Sequence, residues 1–354
     1  MKKVKLVLLS TLMIISGLTF AQEKVDRTPK ISGFVQIRYD MDFNKDFKMG
    51  TSTFDLQRVR LSVDGNLTKN LSYKLQGDFM RQPILVDAYV KYKVCDALAI
   101  QAGQFKTPFT LESMINPVNL EIYDYGTIIK SLVGYSDVCG VGQIGRDIGI
   151  MASGKLFAME NGNGETFNIV EYNVGVFNGN GINNKDNDKT KNIVGRLDVH
   201  PWLKELTITG SIYSGMYDKD TINNGVRNRW SAGAQYSDKH IMVRGEYIKG
   251  TTGRIDFSDI MNPKIDNYNS NGFYAVAGYN FYLGKEKSQK LMPVVRYERF
   301  EKNESVEKGA VSYITAGLNY WPVKSLNCKL NYQYITPETG DASHAVVAII
   351  NYKF

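Results

Sequence analysis

The sequence predicts an all-β protein, a transmembrane antiparallel β-barrel of about sixteen strands, on three observations. Apolar and polar residues alternate with period 2 from Lys30 to the C-terminus, long and short connections take turns, and aromatic residues collect near segment ends on the apolar face. Composition agrees with an ordered β chain. The 354 residues are 43% hydrophobic and 12% aromatic, with 22 Tyr but only 3 His and 3 Cys, which excludes disorder and disfavours a disulfide scaffold or a multi-site zinc protein.

The first element is an export signal. Lys2, Lys3 and Lys5 precede the apolar stretch Val4 to Phe20, and Thr19-Phe20-Ala21 ends in the small residue that a signal peptidase needs, so cleavage is expected after Ala21. The formal charge of +7 includes those three lysines; the remaining +4 is too mild to argue for nucleic acid binding. No cysteine near the junction invites lipid attachment. The odd set Cys95, Cys139 and Cys328 defines no disulfide framework, although one pair could form after export.

Strands follow near 30–42, 52–66, 71–80, 85–93, 97–106, 146–158, 167–177, 191–200, 204–216, 228–237, 240–249, 272–284, 290–301, 310–321, 325–336 and 343–354. The organisation is therefore a signal peptide, 1–21, and a barrel, 22–354, with 107–145 as a pore-constricting loop. A soluble sandwich array or propeller would share the period. The connections favour the barrel: odd ones hold about 9, 4, 39, 13, 11, 22, 8 and 6 residues and even ones about 4, 3, 8, 3, 2, 5 and 3, as external loops and periplasmic turns would.

Each strand separates two chemistries. Arg58, Arg60, Ser62 and Asp64 oppose Val59, Leu61 and Val63; Ser72, Lys74, Gln76 and Asp78 oppose Leu71, Tyr73, Leu75 and Phe79. Asn192, Arg196 and Asp198 oppose Ile193, Leu197 and Val199, while Asn327, Lys329, Asn331 and Gln333 oppose Cys328, Leu330, Tyr332 and Tyr334. So many charges on one face suggest a wet interior. Tyr39, Tyr92, Tyr236, Tyr247, Tyr320, Tyr332 and Tyr352 fit an interfacial belt, and the chain stops inside its last strand at Phe354.

The segments ISGFVQIRYD (31–40), FDLQRVRLSVDGNLTKNLSYKLQGDF (54–79), LVDAYVKY (85–92), GQFKTPFTLE (103–112), RDIGIMASGKL (146–156) and VVRYERF (294–300) resemble the phosphate-selective porin O and P family. The resemblance covers nearly all of the chain beyond the leader. It implies a sixteen-stranded outer-membrane barrel, usually a trimer, with the third external loop folded inward. The longest connection, 107–145, falls at that third position.

Parity places Arg38, Arg58, Arg60, Lys74, Lys91, Arg196, Arg229, Arg244, Arg296 and Lys329 in the lumen, with Asp64, Asp78, Asp87, Asp198, Glu246 and Glu298 among the acids. Arg38, Arg58, Arg60, Lys74, Arg196, Arg244, Arg296, Lys106 and Lys130 form the candidate anion-binding set. Arg38, Arg58, Arg60 and Lys74 fall on neighbouring strands, either as a basic stripe that attracts anions or as part of an Arg/Asp ladder that stiffens the barrel. The loop carries Glu112, Glu121, Asp124 and Asp137 against Lys130 alone, which weakens the case for phosphate specificity.

The expected function is passive diffusion of small hydrophilic solutes and ions, with at most a weak anion or phosphate preference. Expected partners are small anions or hydrophilic solutes, outer-membrane lipid and lipopolysaccharide, and two further copies in a homotrimer; no cofactor, metal or nucleic acid is expected. The competing readings are a non-conducting barrel serving as an adhesin or structural surface protein, and an outer-membrane lipase or protease. For the latter, His200, His240 and His344 stand in no metal-ligand spacing. Gly140 to Gly145 matches G-x-G-x-x-G but is followed by a strand rather than a helix. The stretch 183–189 lacks the Gly and distal Glu of an EF-hand loop.

Overall fold

The computed structural model describes residues 25–43, 52–82, 84–142, 144–162, 164–186, 189–217, 225–256, 264–284 and 288–354. The expected leader, 1–21, lies outside them. Sixteen antiparallel strands cross the barrel wall: β1 (Lys30–Asp42), β2 (Ser52–Asn66), β3 (Leu71–Asp78), β4 (Leu85–Cys95), β5 (Leu98–Lys106), β6 (Arg146–Glu160), β7 (Thr166–Phe177) and β8 (Asn192–Val199). They continue as β9 (Leu206–Ser214, resuming at Met216–Tyr217), β10 (Gly225–Ser237), β11 (Ile241–Asp256), β12 (Lys264–Tyr279, resuming at Phe281–Leu283), β13 (Gln289–Glu301), β14 (Ala310–Val323), β15 (Leu326–Pro337) and β16 (Ser343–Lys353). Breaks at Gly215 and Asn280 interrupt β9 and β12 without changing their neighbours, since both parts of each pair with the same next strand.

The sheet closes on itself because β1 pairs with β16, from Phe34 opposite Lys353 to Asp42 opposite Ala345. Closure matters because hydrocarbon offers no partner to an open strand edge. The faces then sort as lipid outside and water inside require. Leu61, Leu75, Ile150, Val174, Ile212, Val243, Val295 and Leu330 are exposed, whereas Arg60, Gln76, Arg244, Arg296, Lys329 and Asn351 are buried. A soluble sheet would show the reverse. No helix among the described residues is long and apolar enough to cross a membrane.

Two expectations need correction. The connection read as 250–271 is largely strand, since β11 and β12 pair from Ile241 opposite Tyr279 up to Asp256 opposite Lys264. Its residues are mostly polar or glycine on both faces, so the period that reveals a half-buried strand is lost while backbone pairing persists. At β3, residues 79–80 belong to the turn and not to the strand. The aromatic belt includes Tyr39 against Phe54 (ring centroids 4.8 Å apart) and Trp230 against Tyr247 (5.4 Å).

The seam itself depends on a glycine. Gly33 and Phe354 exchange backbone hydrogen bonds of 3.0 and 3.1 Å, and a Cβ at Gly33 would stand 2.5 Å from the Phe354 ring and 2.6 Å from the Arg60 carbonyl. Gly33→Val is expected to destabilise the folded barrel by about 1–3 kcal/mol through overpacking. Urea unfolding in detergent micelles, followed by the heat-modifiable band shift, measures it; an unchanged midpoint would show that the seam tolerates the side chain.

Candidate functional site

The long connection 107–145 enters the lumen. Thr107 N–H donates to the Gly145 carbonyl at 3.0 Å, which closes its base, and Lys106 pairs with Arg146 across the last rung of β5 and β6. The chain turns inward at Thr110, whose φ of 67° is unusual for a residue with a side chain and costs about 1–3 kcal/mol. Its surroundings hold it there. Thr110 N–H donates to Ser211 Oγ at 3.1 Å, Arg196 donates to the Thr110 carbonyl at 2.6 Å, and the Thr110 hydroxyl caps helix α1 (Leu111–Met114) by accepting from Ser113 N–H. A 3₁₀ turn (Pro117–Asn119), capped by Asn116, and helix α2 (Thr127–Leu132) complete the loop.

One side of this loop is apolar and packs against the wall. Phe109, Leu120, Ile128, Ile129 and Leu132 pack on inward residues of β6 to β13, including Phe177, Tyr213, Ile248, Tyr274 and Phe300. Burying such side chains is worth about 1.5–3 kcal/mol each, an upper figure for a lumen that water would otherwise wet.

Charge fixes the loop in position. Asp137 meets Arg227 at 2.8 Å and Arg229 at 2.7 Å; Glu121 meets Arg244 at 2.7 Å; Asp124 meets Arg58 at 2.8 Å and Lys130 at 2.7 Å; and Glu112 pairs with Arg296. Wall acids clamp loop amides in return. Glu246 accepts from Leu111 N–H at 2.9 Å and Glu298 from Ile128 N–H at 2.6 Å. Gly126 admits the Arg296 guanidinium, which a Cβ there would overlap at 1.9 Å. Burial opposes ionisation of Asp124 and Asp137, yet Lys130 and Arg58 around the first, and Arg227 and Arg229 around the second, hold both carboxyls well below the usual range. Their contribution to stability is therefore present above the ordinary carboxylate pKa and is lost only as pH falls through the depressed folded values.

The other side of the loop leaves a passage. A cavity of about 320 Å³ runs between Met114, Asn116 and Pro117 on the loop and the wall of β2 to β6, where Arg60, Lys74, Lys106 and Arg146 face Asp87 as the sole acid of its lining. It shares Lys74 and Tyr89 with a second cavity of about 380 Å³ that reaches Lys30, Asp64 and Lys91.

The expected site residues divide between these two sides. Arg58, Arg196, Arg244, Arg296 and Lys130 hold the loop or its neighbours. Arg38 pairs with Asp40 at 2.5 Å and stacks over Tyr123, its guanidinium carbon 5.4 Å from the ring centre. Arg60 pairs with Asp78 at 2.9 Å but lines the passage. Lys106 points its ammonium at neutral groups, the Ser113 carbonyl at 2.5 Å and the Ile115 carbonyl at 2.7 Å, with no carboxylate at ion-pair distance among the described residues. Lys74 has no ion-pair partner among the described residues. Sequence reasoning missed Arg227 and the pairing role of the loop acids. The signal was present, since an acidic loop that enters a cation-lined lumen must meet it.

The motif residues behave likewise. Asp87 of D-A-Y holds Arg146 of R-D-I-G at 2.8 Å, and Asp147 receives the Gly179 N–H at 2.7 Å, tying the next external connection to β6. The three cysteines are free. His200 and His240 each contact a backbone carbonyl at 3.0 Å, and His344 meets the Tyr332 hydroxyl.

The profile of the phosphate-selective porin O and P family matches residues 30–349. No curated protein matches the chain by sequence. Among solved structures, the anion-selective porin of Comamonas acidovorans is 13% identical with a TM-score of 0.68, covering 93% of this chain and 100% of that one. The outer membrane channel DcaP of Acinetobacter baumannii is 10% identical with a TM-score of 0.60, covering 92% and 97%. OmpT of Vibrio cholerae is 9% identical with a TM-score of 0.60, covering 94% and 99%. At these identities the likeness shows the fold. The chain belongs to the phosphate-selective porin O and P family and is an outer-membrane porin.

Removing one clamp tests the loop. Asp137→Asn removes the carboxylate that Arg227 and Arg229 share, and breaking such a buried pair costs about 3–5 kcal/mol. Externally added protease is expected to cut 107–145 in the variant and not in the wild type. Equal protection of both would mean that the other ion pairs and the apolar packing hold the loop without Asp137.

Proposed function

With membership of that family as the premise, we propose that the chain is a passive diffusion pore for small hydrophilic solutes with a preference for anions, narrowed by the loop 107–145. The observation that carries the preference is the passage lining, Arg60, Lys74, Lys106 and Arg146 against Asp87. A partly dehydrated anion exchanges water for such groups, and low-dielectric walls focus their field. Most other lumenal cations are neutralised by the loop acids, so the excess charge is concentrated where the lumen is open. Lys30 and Lys91 extend it along the second cavity, offset in part by Asp26 and Asp64. The Comamonas acidovorans porin of this fold is itself anion-selective.

The same reading includes an export leader cleaved after Ala21, a barrel domain over 22–354, and a homotrimer in contact with lipid and lipopolysaccharide. A trimer form of Vibrio cholerae OmpT, on this fold, supports the assembly. The apolar exterior supports the lipid contact, and a passive role without catalysis accords with histidines engaged at strand ends. The intact mass of the chain extracted from membranes is expected to start at Gln22; a mass including Met1 to Ala21 would contradict the cleavage.

Planar-bilayer recording in a salt gradient tests the preference. The wild type is expected to give a reversal potential favouring chloride over potassium, and Lys74→Glu to lower that permeability ratio by about two- to ten-fold. A reversal potential near zero would remove the anion preference. Absence of conductance from a folded, heat-modifiable protein would favour the adhesin or structural reading.

A further inference from the structure

β1 stops short of the end of its partner. Its ladder with β2 starts at Lys30 opposite Asp64, although β2 runs on to Asn66 and pairs there with Ser72 of β3. Pro29 accounts for the stop, because it has no N–H to donate to a further rung. Residues 25–29 then leave the wall. Asp26 and Thr28 line the same cavity as Tyr89 and Lys91 of β4. That strand stands three places from β1, about 14 Å away at the usual inter-strand spacing, so the segment leans across the periplasmic mouth. Thr28 N–H donates to Asp26 Oδ1 at 3.0 Å, which gives the segment a turn of its own.

The lysines of this mouth are unevenly matched with acids. The cavity is lined by Lys30, Lys74 and Lys91 against Asp64 and Asp26. Asp64 stands in register between two of the lysines, opposite Lys30 on β1 and Lys74 on β3. Lys91 stands opposite Ser72 on one side and Gln101 on the other. In the next cavity, which shares Lys91, Lys93 pairs with Asp96 at 2.5 Å and Lys155 with Glu171 at 2.6 Å. The acid left to answer Lys91 is Asp26, and it sits with Thr28 on the part of the lining that no strand holds.

A carboxylate among lysines competes with any passing anion for them, and a pore conducts only if each site lets its ion go. We propose that Asp26 is a specificity-determining residue of the pore: carried across the periplasmic mouth by residues 25–29, it competes with permeating anions for Lys91 and its neighbours and lowers the anion preference that the passage sets. This rests on the anion-preferring pore and adds a determinant outside its constriction. The test is planar-bilayer recording with the chain purified from membranes. Asp26→Asn is expected to raise the chloride-to-potassium permeability ratio about two-fold near 0.1 M salt, where a charge acts over about 10 Å, and to lose that gain near 1 M, where it acts over about 3 Å. Asp26→Glu is expected to keep the wild-type ratio. Glu165→Gln removes the same charge from an exposed turn outside these cavities, where Glu165 pairs with Lys204, and is expected to leave the ratio unchanged. An unchanged ratio in Asp26→Asn, an equal gain in Glu165→Gln, or a gain that persists near 1 M salt would overturn the inference. A wild type that passes potassium as readily as chloride refutes the anion reading itself, whereas a chloride-preferring pore indifferent to Asp26 refutes only the role of that residue.

Discussion

The structure depends on the pairing of loop carboxylates with wall guanidinium groups inside the lumen. Asp137 with Arg227 and Arg229, Glu121 with Arg244, Asp124 with Arg58, and Glu112 with Arg296 are buried pairs. Burying either partner alone would cost several kcal/mol, so the loop and the wall are charged with opposite signs for one reason. The balance is close, because desolvation offsets much of the attraction. What the pairs secure above all is position, since a loop held only by apolar contacts with β6 to β13 could slide along them.

That division of labour explains a conflict within the sequence. A basic lumen argues for anions and an acidic constriction loop argues against them. In the folded chain the acids lie against arginines, while Lys74 lines the passage with no ion-pair partner among the described residues and Lys106 donates to the Ser113 and Ile115 carbonyls. Selectivity therefore cannot be summed over the lumen; it belongs to the few groups that the open passage sees.

The barrel was legible because a membrane wall with a wet interior imposes period 2 on every crossing segment, as in Leu71 to Asp78. Legibility failed at 250–256 and 264–271, where backbone pairing continues through mostly polar residues and the two faces lose their contrast. Inward-facing cations were readable by parity for the same reason that the wall was. Their partners were not, because Arg58 and Asp124 are separated by 66 residues and Arg296 and Glu112 by 184, and nothing local ties a strand arginine to a loop acid. Arg227 falls within 217–227, expected to be a connection, whereas the strand begins at Gly225.

The span of those pairs bears on assembly. Glu112, Glu121 and Asp137 are synthesised well before the arginines of β10, β11 and β13 that receive them, and the seam between β1 and β16 closes with the last residues of the chain. Such non-local contacts are repaid only after their chain-closure entropy has been met. The implication is a maturation order in which the cylinder forms with a wide bore and tightens afterwards, so that a nascent barrel stalled before its final hairpin would leak solutes that the finished one excludes.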